Sequence, residues 1–448
     1  MEALAATAAA KQARSLGKMG VFMAHDQTAG RSRMRSILAA SAGNMVETFD
    51  WFVYAAFALY FAPIFFPKGD QTAQLLGSAA VYAVGFLARP FGAWIMGLYG
   101  DRSGRRAAMI ASVALMCLGS LIIGLCPGHD QIGLAAPAIL VFARILQGVS
   151  MGGEYGASAT YLSEMAARDR RGFWSGIFYS TLMTGQLLAL LLLLVLTAVL
   201  TPDQMSAWGW RVAFIIGALI AATVLLMRSG MEETPSFKAR DASPTATLRL
   251  VREYPRETLI VMGLTAGGTL AYYTFGTYMQ KFLVNTSGFS KDQSNLITTA
   301  ALAVFVLLQP LSGALSDRFG RRALLLAFGI GGTLMTWPAL SALAETRDPW
   351  AAFLIVVGCL AVVSGYTSVS AIVKAEMFPT EIRALGVALP YAIANALFGG
   401  TAELVALSFK SAGSEPGFYI YVTAVILLSL VTYVLMPDTR RNSRIRED

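Results

Sequence analysis

The sequence is poor in charge and poor in catalytic side chains. Only 14% of its 448 residues are Asp, Glu, Lys or Arg, where a soluble domain carries about 25%. That shortfall argues against an ordinary soluble enzyme and against a disordered chain. There are two histidines, His25 and His129, and three cysteines, Cys117, Cys126 and Cys359. Those counts argue against a zinc site, a His-based triad and a disulfide framework. The cysteines lie in apolar runs and read as small buried hydrophobes. No Walker-type phosphate loop is present. Gly148-Val-Ser150-Met-Gly152 matches a hydrolase nucleophile elbow, but it sits inside an apolar helical run with no histidine to serve it. No metal, cofactor or enzymatic activity is expected.

Apolar sequence is abundant instead: 56% of residues are hydrophobic and the mean hydropathy is +0.58. A bilayer-crossing helix needs roughly 20 mainly apolar residues. Twelve stretches qualify: about 37–61, 76–99, 107–126, 136–162, 173–200, 209–227, 258–284, 294–315, 323–344, 350–376, 385–409 and 417–436. Pro90, Pro310 and Pro390 fall inside them, as membrane helices tolerate. Residues 1–36 are Ala-rich and then basic, and read as a disordered tail rather than a signal peptide.

Lys and Arg set the orientation. With the N-terminus inside, inner segments hold 26 of the 35 basic residues and outer segments hold five. Both termini are therefore expected in the cytoplasm. The net charge of +8 is mostly a topology signal and gives no support to a nucleic-acid partner.

The chain repeats itself. Gly97-Leu-Tyr-Gly-Asp101-Arg102-Ser-Gly-Arg105-Arg106 recurs as Gly313-Ala-Leu-Ser-Asp317-Arg318-Phe-Gly-Arg321-Arg322, 216 residues later. Glu164 with Arg171 recurs as Glu376 with Arg383, at an offset of 212. The expected organisation is two six-helix halves, 37–227 and 258–436, joined by a polar cytoplasmic linker, 228–257, with a cytoplasmic tail, 437–448. Each Asp can accept from a helix N-terminus or pair with a neighbouring Arg, and each Gly lets helices approach closely. Together these residues read as a latch on the cytoplasmic side. The doubled motif resembles the major facilitator superfamily over nearly the whole chain after residue 36. That resemblance implies an all-α membrane protein with twelve transmembrane helices in two six-helix pseudo-repeats.

Ionisable residues within spans are costly, about 2.5–3.5 kcal/mol each even on insertion scales, and mark functional positions by default. Glu47, Asp50 and Tyr54 are spaced to share one face of the first helix. Arg89 lies in the second span, and Arg144, Gln147 and Glu154 in the fourth. Gly148, Gly152 and Gly156 recur four apart and read first as helix packing. Arg89 either anchors a carboxylate, for which Arg offers a bidentate fork, or pairs with Glu47 or Asp50. Lys374 is either a second cation for substrate or the partner of Glu376. Lys281 reads as an outer-end residue that snorkels. Tyr54, Gln186, Tyr278, Tyr391 and Asn395 are candidate polar linings of a central cavity.

Several stretches are similar to the metabolite:proton symporter family. They are Gly43-Asn-Met-Val-Glu47-Thr-Phe-Asp50, Arg89-Pro-Phe-Gly, Arg144-x-x-Gln147-Gly148 and Trp208-Gly-Trp-Arg211. Thr48 replaces the Trp usual in the first span of that family; both carboxylates remain. Thr277-Tyr-Met-Gln-Lys281, Lys374-Ala-Glu-Met-Phe-Pro379 and Tyr391-Ala-Ile-Ala-Asn395 look specific to a dicarboxylate-carrying subgroup. The resemblance implies proton-coupled import of 2-oxoglutarate, or a close dicarboxylate, by a monomer in the bacterial inner membrane. It implies that Asp50 faces Arg144, with Glu47 nearby, as the proton-coupling group. An aspartate beside a guanidinium stays ionised; parted from it in a dry site, it takes up a proton. Alternatives are another organic acid such as citrate or shikimate, a zwitterionic osmolyte, or a non-transporting sensor on the same scaffold.

Overall fold

The computed structural model describes residues 44–67, 69–103, 105–152, 155–156, 159–160, 163, 166, 168–229, 250–379, 382–440 and 442–445. The tail 1–36, Glu154, Glu164 and most of the linker lie outside them, as do the side chains at 97, 101, 102 and 105. The first-repeat latch is therefore not described.

The N-terminal half contains α1 (Asn44–Phe65), α2 (Gln71–Ser103), α3 (Arg105–Leu125), α4 (Ala135–Met151), α5 (Arg171–Val199) and α6 (Pro202–Leu226). The C-terminal half contains α7 (Pro255–Asn285), α8 (Lys291–Phe319), α9 (Arg321–Glu345), α10 (Pro349–Glu376), α11 (Arg383–Ser411) and α12 (Glu415–Leu435). Each apolar stretch read from the sequence overlaps one of these helices, with 37–43 and parts of 152–162 outside the described residues. α1 runs four residues past its expected end, because Phe61 and Phe65 pack their rings against Trp210 of α6.

Local chemistry fixes the helix ends. Ser290 and Gln293 form a reciprocal capping box that starts α8, and Thr201 and Gln204 form another at α6. Asp348 accepts from the backbone of Trp350 and Ala351 to start α10. Gly320, at φ 100°, makes the turn from α8 into α9, a conformation that only glycine adopts freely.

The two halves pack alike. α2 lies against α4 as α8 lies against α10, and α3 against α6 as α9 against α12. The halves meet where α5 lies on α8 and α10, and where α11 lies on α2. α1 is central: 89% of its most apolar window is buried inside the bundle, against 33% for α5. That leaves the Glu47–Tyr54 face no contact with lipid.

Three helices are not regular, and α6 opens with a π-helical stretch at Met205–Gly209. α7 widens into a π-helical stretch at Tyr273–Tyr278, and α11 does so at Asn395–Gly399. Such bulges re-aim the side chains beside them and occur often at functional sites.

Small residues bring the backbones together. A Cβ on Gly148 of α4 would lie 2.1 Å from the Gly85 carbonyl oxygen of α2, and one on Gly152 would lie 2.1 Å from that of Arg89. Gly156 packs on Ala388 of the other half. Gly148→Val must push α4 away from α2. Overpacking of this kind costs about 1–3 kcal/mol, so the purified variant should melt below the wild type in detergent. An unchanged melting curve would show that this backbone approach does not hold the half together.

Candidate functional site

A cavity of about 80 Å³ lies between the two halves. Glu47, Phe52, Arg89, Met151, Tyr155 and Tyr179 line it from one half. Thr269, Tyr272, Tyr273, Tyr366, Tyr391 and Asn395 line it from the other. The wall combines seven aromatic side chains, six of them tyrosines, with seven other polar or charged residues.

Arg89 is the cation in this wall. It is 8% exposed. Its Nη2 donates to the Met151 sulfur at 3.4 Å, a weak acceptor. Its Nε donates to no described protein atom. No described carboxylate lies within salt-bridge distance of it, so it does not pair with Asp50 or Glu47 here. Its charge rests on aromatic faces instead, 3.9 Å from the Trp51 ring centroid and 4.0 Å from that of Phe86.

Trp51 carries a second guanidinium. Arg144, fully buried, lies 3.7 Å from the same ring. Tyr54 and Tyr82 also face it, at 4.7 and 5.0 Å. The expected direct pairing of Asp50 with Arg144 is corrected by the structure, which puts Gln147 between them. Arg144 Nη1 donates to Gln147 Oε1 at 2.8 Å, and Gln147 Nε2 donates to Asp50 Oδ2 at 3.0 Å. The amide is polarised, its oxygen toward the cation and its N–H toward the carboxylate. Ser120 of α3 reaches both Asp50 oxygens, at 2.5 and 2.6 Å, and also accepts from Gln147. Gly217 of α6 makes room, since a Cβ there would lie 2.3 Å from Asp50 Oδ1. Asp50 thus sits behind the cavity wall, inside the N-terminal half, and carries 0% exposure.

The other half supplies Lys374, also fully buried. It does not pair with Glu376. Its Nζ lies 4.0 Å from the Tyr391 ring, with Tyr155 and Tyr366 at 5.4 and 5.9 Å. Tyr391 stacks on Tyr155 across the half interface at 3.9 Å. All three rings line the cavity, so Lys374 stands directly behind its aromatic wall. Asn395 begins the π-helical turn of α11 and lines the cavity, with its Oδ1 accepting from Thr269 at 3.0 Å.

Three expected liners are elsewhere. Tyr54 donates to the Ser78 carbonyl and stacks on Tyr82 within the N-terminal half. Tyr278 packs its ring against Phe282 and Phe418. Gln186 ties the halves together, donating to the Gly276 carbonyl at 2.9 Å and accepting from the Tyr272 hydroxyl. Lys281 does not snorkel. It is 1% exposed and pairs with Glu403 of α11 at 2.6 Å. Its position near a helix end suggests exposure, but the bundle closes over it.

The halves are bridged on both sides of the cavity. At one end Asp317 caps α5, its two oxygens accepting from the Gly172 and Phe173 backbone at 2.8 Å each. Arg321 donates to Asp317 at 2.6 Å and lies 3.9 Å from Glu376, which accepts from Thr439. Gly313 packs on Gly172 so closely that a Cβ would meet the Gly172 carbonyl at 2.2 Å. Arg318 lies over Phe319, Arg171 is buried, and Arg383 donates to the carbonyls of Phe378 and Arg444. At the other end Lys291 donates to the Leu59 carbonyl at 2.9 Å, Asn295 to Tyr60 and Gln280 to the Ala56 carbonyl.

Breaking a buried ion pair from one side costs about 3–5 kcal/mol, because it strands the other charge. Lys281→Met should therefore lower the melting temperature sharply. Adding Glu403→Leu should recover most of the loss. A double variant no more stable than Lys281→Met would show that the two side chains are not energetically coupled.

This arrangement has relatives. The profile of the family described as "Sugar (and other) transporter" matches the chain twice, over residues 36–244 and 238–445. Alpha-ketoglutarate permease of Escherichia coli (strain K12) is 48% identical over 415 residues, covering 93% of this chain and 96% of that protein. The citrate-proton symporter of Klebsiella pneumoniae is 33% identical over 414 residues, 91% of this chain and 93% of that one. Among solved structures, the xylose transporter XylE from E. coli superposes with a TM-score of 0.71 at 17% identity, over 93% of this chain and 98% of that one. That likeness gives the major facilitator fold. The chain is a multi-pass membrane protein and belongs to the sugar (and other) transporter family.

Proposed function

We propose that this chain is a proton-coupled symporter that carries 2-oxoglutarate, or a close dicarboxylate, across the bacterial inner membrane by alternating access. The observation that carries the reading is Arg89, a buried guanidinium in the cavity wall with no described acidic partner. A fixed cation facing an aromatic cavity invites a carboxylate, and its fork can bind one bidentately. Lys374, behind Tyr391, offers a second positive charge to the other end of a dicarboxylate. The relatives named for alpha-ketoglutarate and for citrate-proton symport support the same class.

The proton site is Asp50. Its carboxylate is enclosed by Ser120 and Gln147 and is held away from the cavity. It acts on the substrate site through Gln147, Arg144 and Trp51, the last shared with Arg89. A proton on Asp50 removes the negative charge that balances Arg144. The region around Arg89 then becomes more positive and holds an anion better. By linkage, a bound anion must raise the proton affinity of Asp50 to the same degree.

Alternating access requires the two bridges to open in turn. The Asp317 cap and the Gly172–Gly313 contact form one, on the cytoplasmic side by the distribution of Lys and Arg. The Lys291, Asn295 and Gln280 contacts form the other. The working unit is a monomer of two six-helix halves, residues 37–227 and 258–436, with both termini in the cytoplasm. The linker 228–257 and the tail 437–448 lie on that side.

Labelled 2-oxoglutarate uptake into proteoliposomes under an inward proton gradient tests the reading. Accumulation competed by close dicarboxylates, and not by betaine or shikimate, is the expected result. No accumulation of any dicarboxylate would overturn it. Asp50→Asn should abolish gradient-driven accumulation and spare exchange of internal for external substrate; a variant that still concentrates substrate removes Asp50 from coupling. Arg89→Lys replaces a fork by a point charge and should raise the apparent KM roughly tenfold or more. An unchanged KM would take Arg89 out of the binding site.

A further inference from the structure

Asn395 has its amide fixed from one side and open on the other. Its side chain is fully buried. Thr269 Oγ1 donates to Oδ1 at 3.0 Å, which turns the NH2 group the other way. That Nδ2 has the Tyr273 hydroxyl beside it without a well-formed hydrogen bond, and it belongs to a residue of the cavity wall. A buried donor left without a partner is costly, and native structures keep few of them. Because this one belongs to a residue of the cavity wall, a ligand in the cavity can complete it. The local backbone is shaped for it. A Cβ on Gly399, at the end of the π-helical turn, would lie 2.7 Å from Asn395 Oδ1, from Thr269 Cγ2 and from Tyr273 Cδ2. Only glycine leaves room for the Thr269–Asn395 pair.

The open donor shares a wall with Arg89. Tyr273 lines the same cavity, and its hydroxyl faces both side chains. With the Tyr273 hydroxyl against both Arg89 and Asn395, an acid seated on Arg89 has the Asn395 amide in the same part of the wall. In a 2-oxo acid the carbon next to the carboxylate bears a carbonyl oxygen, an acceptor with lone pairs and no hydrogen. An N–H donor suits it. An unsubstituted dicarboxylate offers only CH2 there and leaves the amide unpaired.

We propose that Asn395, oriented by Thr269, is the specificity residue that reads the 2-oxo oxygen and so selects 2-oxo dicarboxylates over their unsubstituted counterparts. The proposal rests on the dicarboxylate reading of the cavity. Sites built to hydrogen-bond a substrate group reject analogues that lack it more strongly than apolar pockets reject a missing methylene. Thr269 acts through Asn395 as a positioning residue.

The test is competition against labelled 2-oxoglutarate exchange in proteoliposomes, with unlabelled 2-oxoglutarate and glutarate compared. Wild type should require roughly tenfold more glutarate, or beyond, for half-inhibition. Asn395→Leu, of similar volume and without a donor, should bring that ratio close to one by weakening 2-oxoglutarate while leaving glutarate unchanged. Thr269→Val should move the ratio the same way to a lesser extent, and Thr269→Ser should keep it at the wild-type value. The Thr269 pair decides the matter if Asn395→Leu fails to fold. A wild-type ratio near one overturns the assignment. So does an equal loss for both compounds in Asn395→Leu, or a Thr269→Val ratio no different from wild type. Wild type that binds neither compound overturns the dicarboxylate reading along with it, and is distinguishable because no labelled exchange is seen at all.

Discussion

Two guanidinium groups share one indole, and much of the site is arranged around that fact. Arg89 and Arg144 both lie within 4 Å of the Trp51 ring centroid in the interior of an apolar bundle. A cation–π contact supplies about 2 kcal/mol when desolvated, which falls short of the several kcal/mol that burial of an ion costs. Arg144 adds two further rings and Gln147, while its Nε and Nη2 donate to no described atom. Arg89 adds a second ring, a thioether and the Tyr273 hydroxyl, and leaves Nε without a described acceptor. Of the two, it is Arg89 that faces the cavity. Arg144 is thus the guanidinium linked to Asp50, through Gln147, and Arg89 the one in the cavity wall.

The closures on the two sides of the cavity use different chemistry. One side rests on Asp317, whose charge is bound to the first turn of α5 and to Arg321. Both interactions are charge-assisted, and backbone contact between Gly172 and Gly313 brings them into range. The other side rests on side chains reaching backbone carbonyls across the interface. Behind that second closure, Lys281 and Glu403 tie α7 to α11 beyond the π-helical turn of each helix. The outer segments of these two helices are thereby joined to each other independently of the cavity-lining segments. A movement at the turns would carry both outer segments together.

Much of this architecture is legible in the amino-acid sequence alone. Hydropathy locates all twelve helices, because a bilayer leaves few alternatives to a continuous apolar helix. The doubled motif exposes the two halves, and Asp317 does both things its chemistry allows, capping and pairing. Arg89, Tyr391 and Asn395 can be named for the cavity because polar groups inside spans are rare. Contacts between distant helices are what the sequence hides. Ser120 is one serine among many in apolar helices, and only folding brings it to Asp50. Lys281 and Glu403 are separated by 122 positions, so neither advertises the other. Tyr54 shares a helical face with Glu47, but periodicity does not distinguish a cavity wall from a helix–helix seam. Lys374 is legible as a cation and not as one enclosed by tyrosines, since its ring partners come from the end of the fourth span, from α10 and from α11.

Charge balance links these pieces in the proposed cycle. Among the described residues, three formal cations, Arg89, Arg144 and Lys374, and two acids, Glu47 and Asp50, stand near the cavity. With both acids ionised the region holds one excess positive charge, and a dianion would leave it negative in a medium that penalises net charge. With Asp50 protonated the excess is two, and a dicarboxylate dianion neutralises it. The loaded site is thus balanced when substrate and one proton are present together. It is unbalanced when the dianion is present alone. Since the halves can close over a low-dielectric interior only at a cost that rises with unbalanced charge, closure favours the protonated, loaded state. The condition for coupling is then met without contact between proton and substrate: Asp50 stays behind Gln147 and Arg144, and its influence reaches Arg89 through the ring they share.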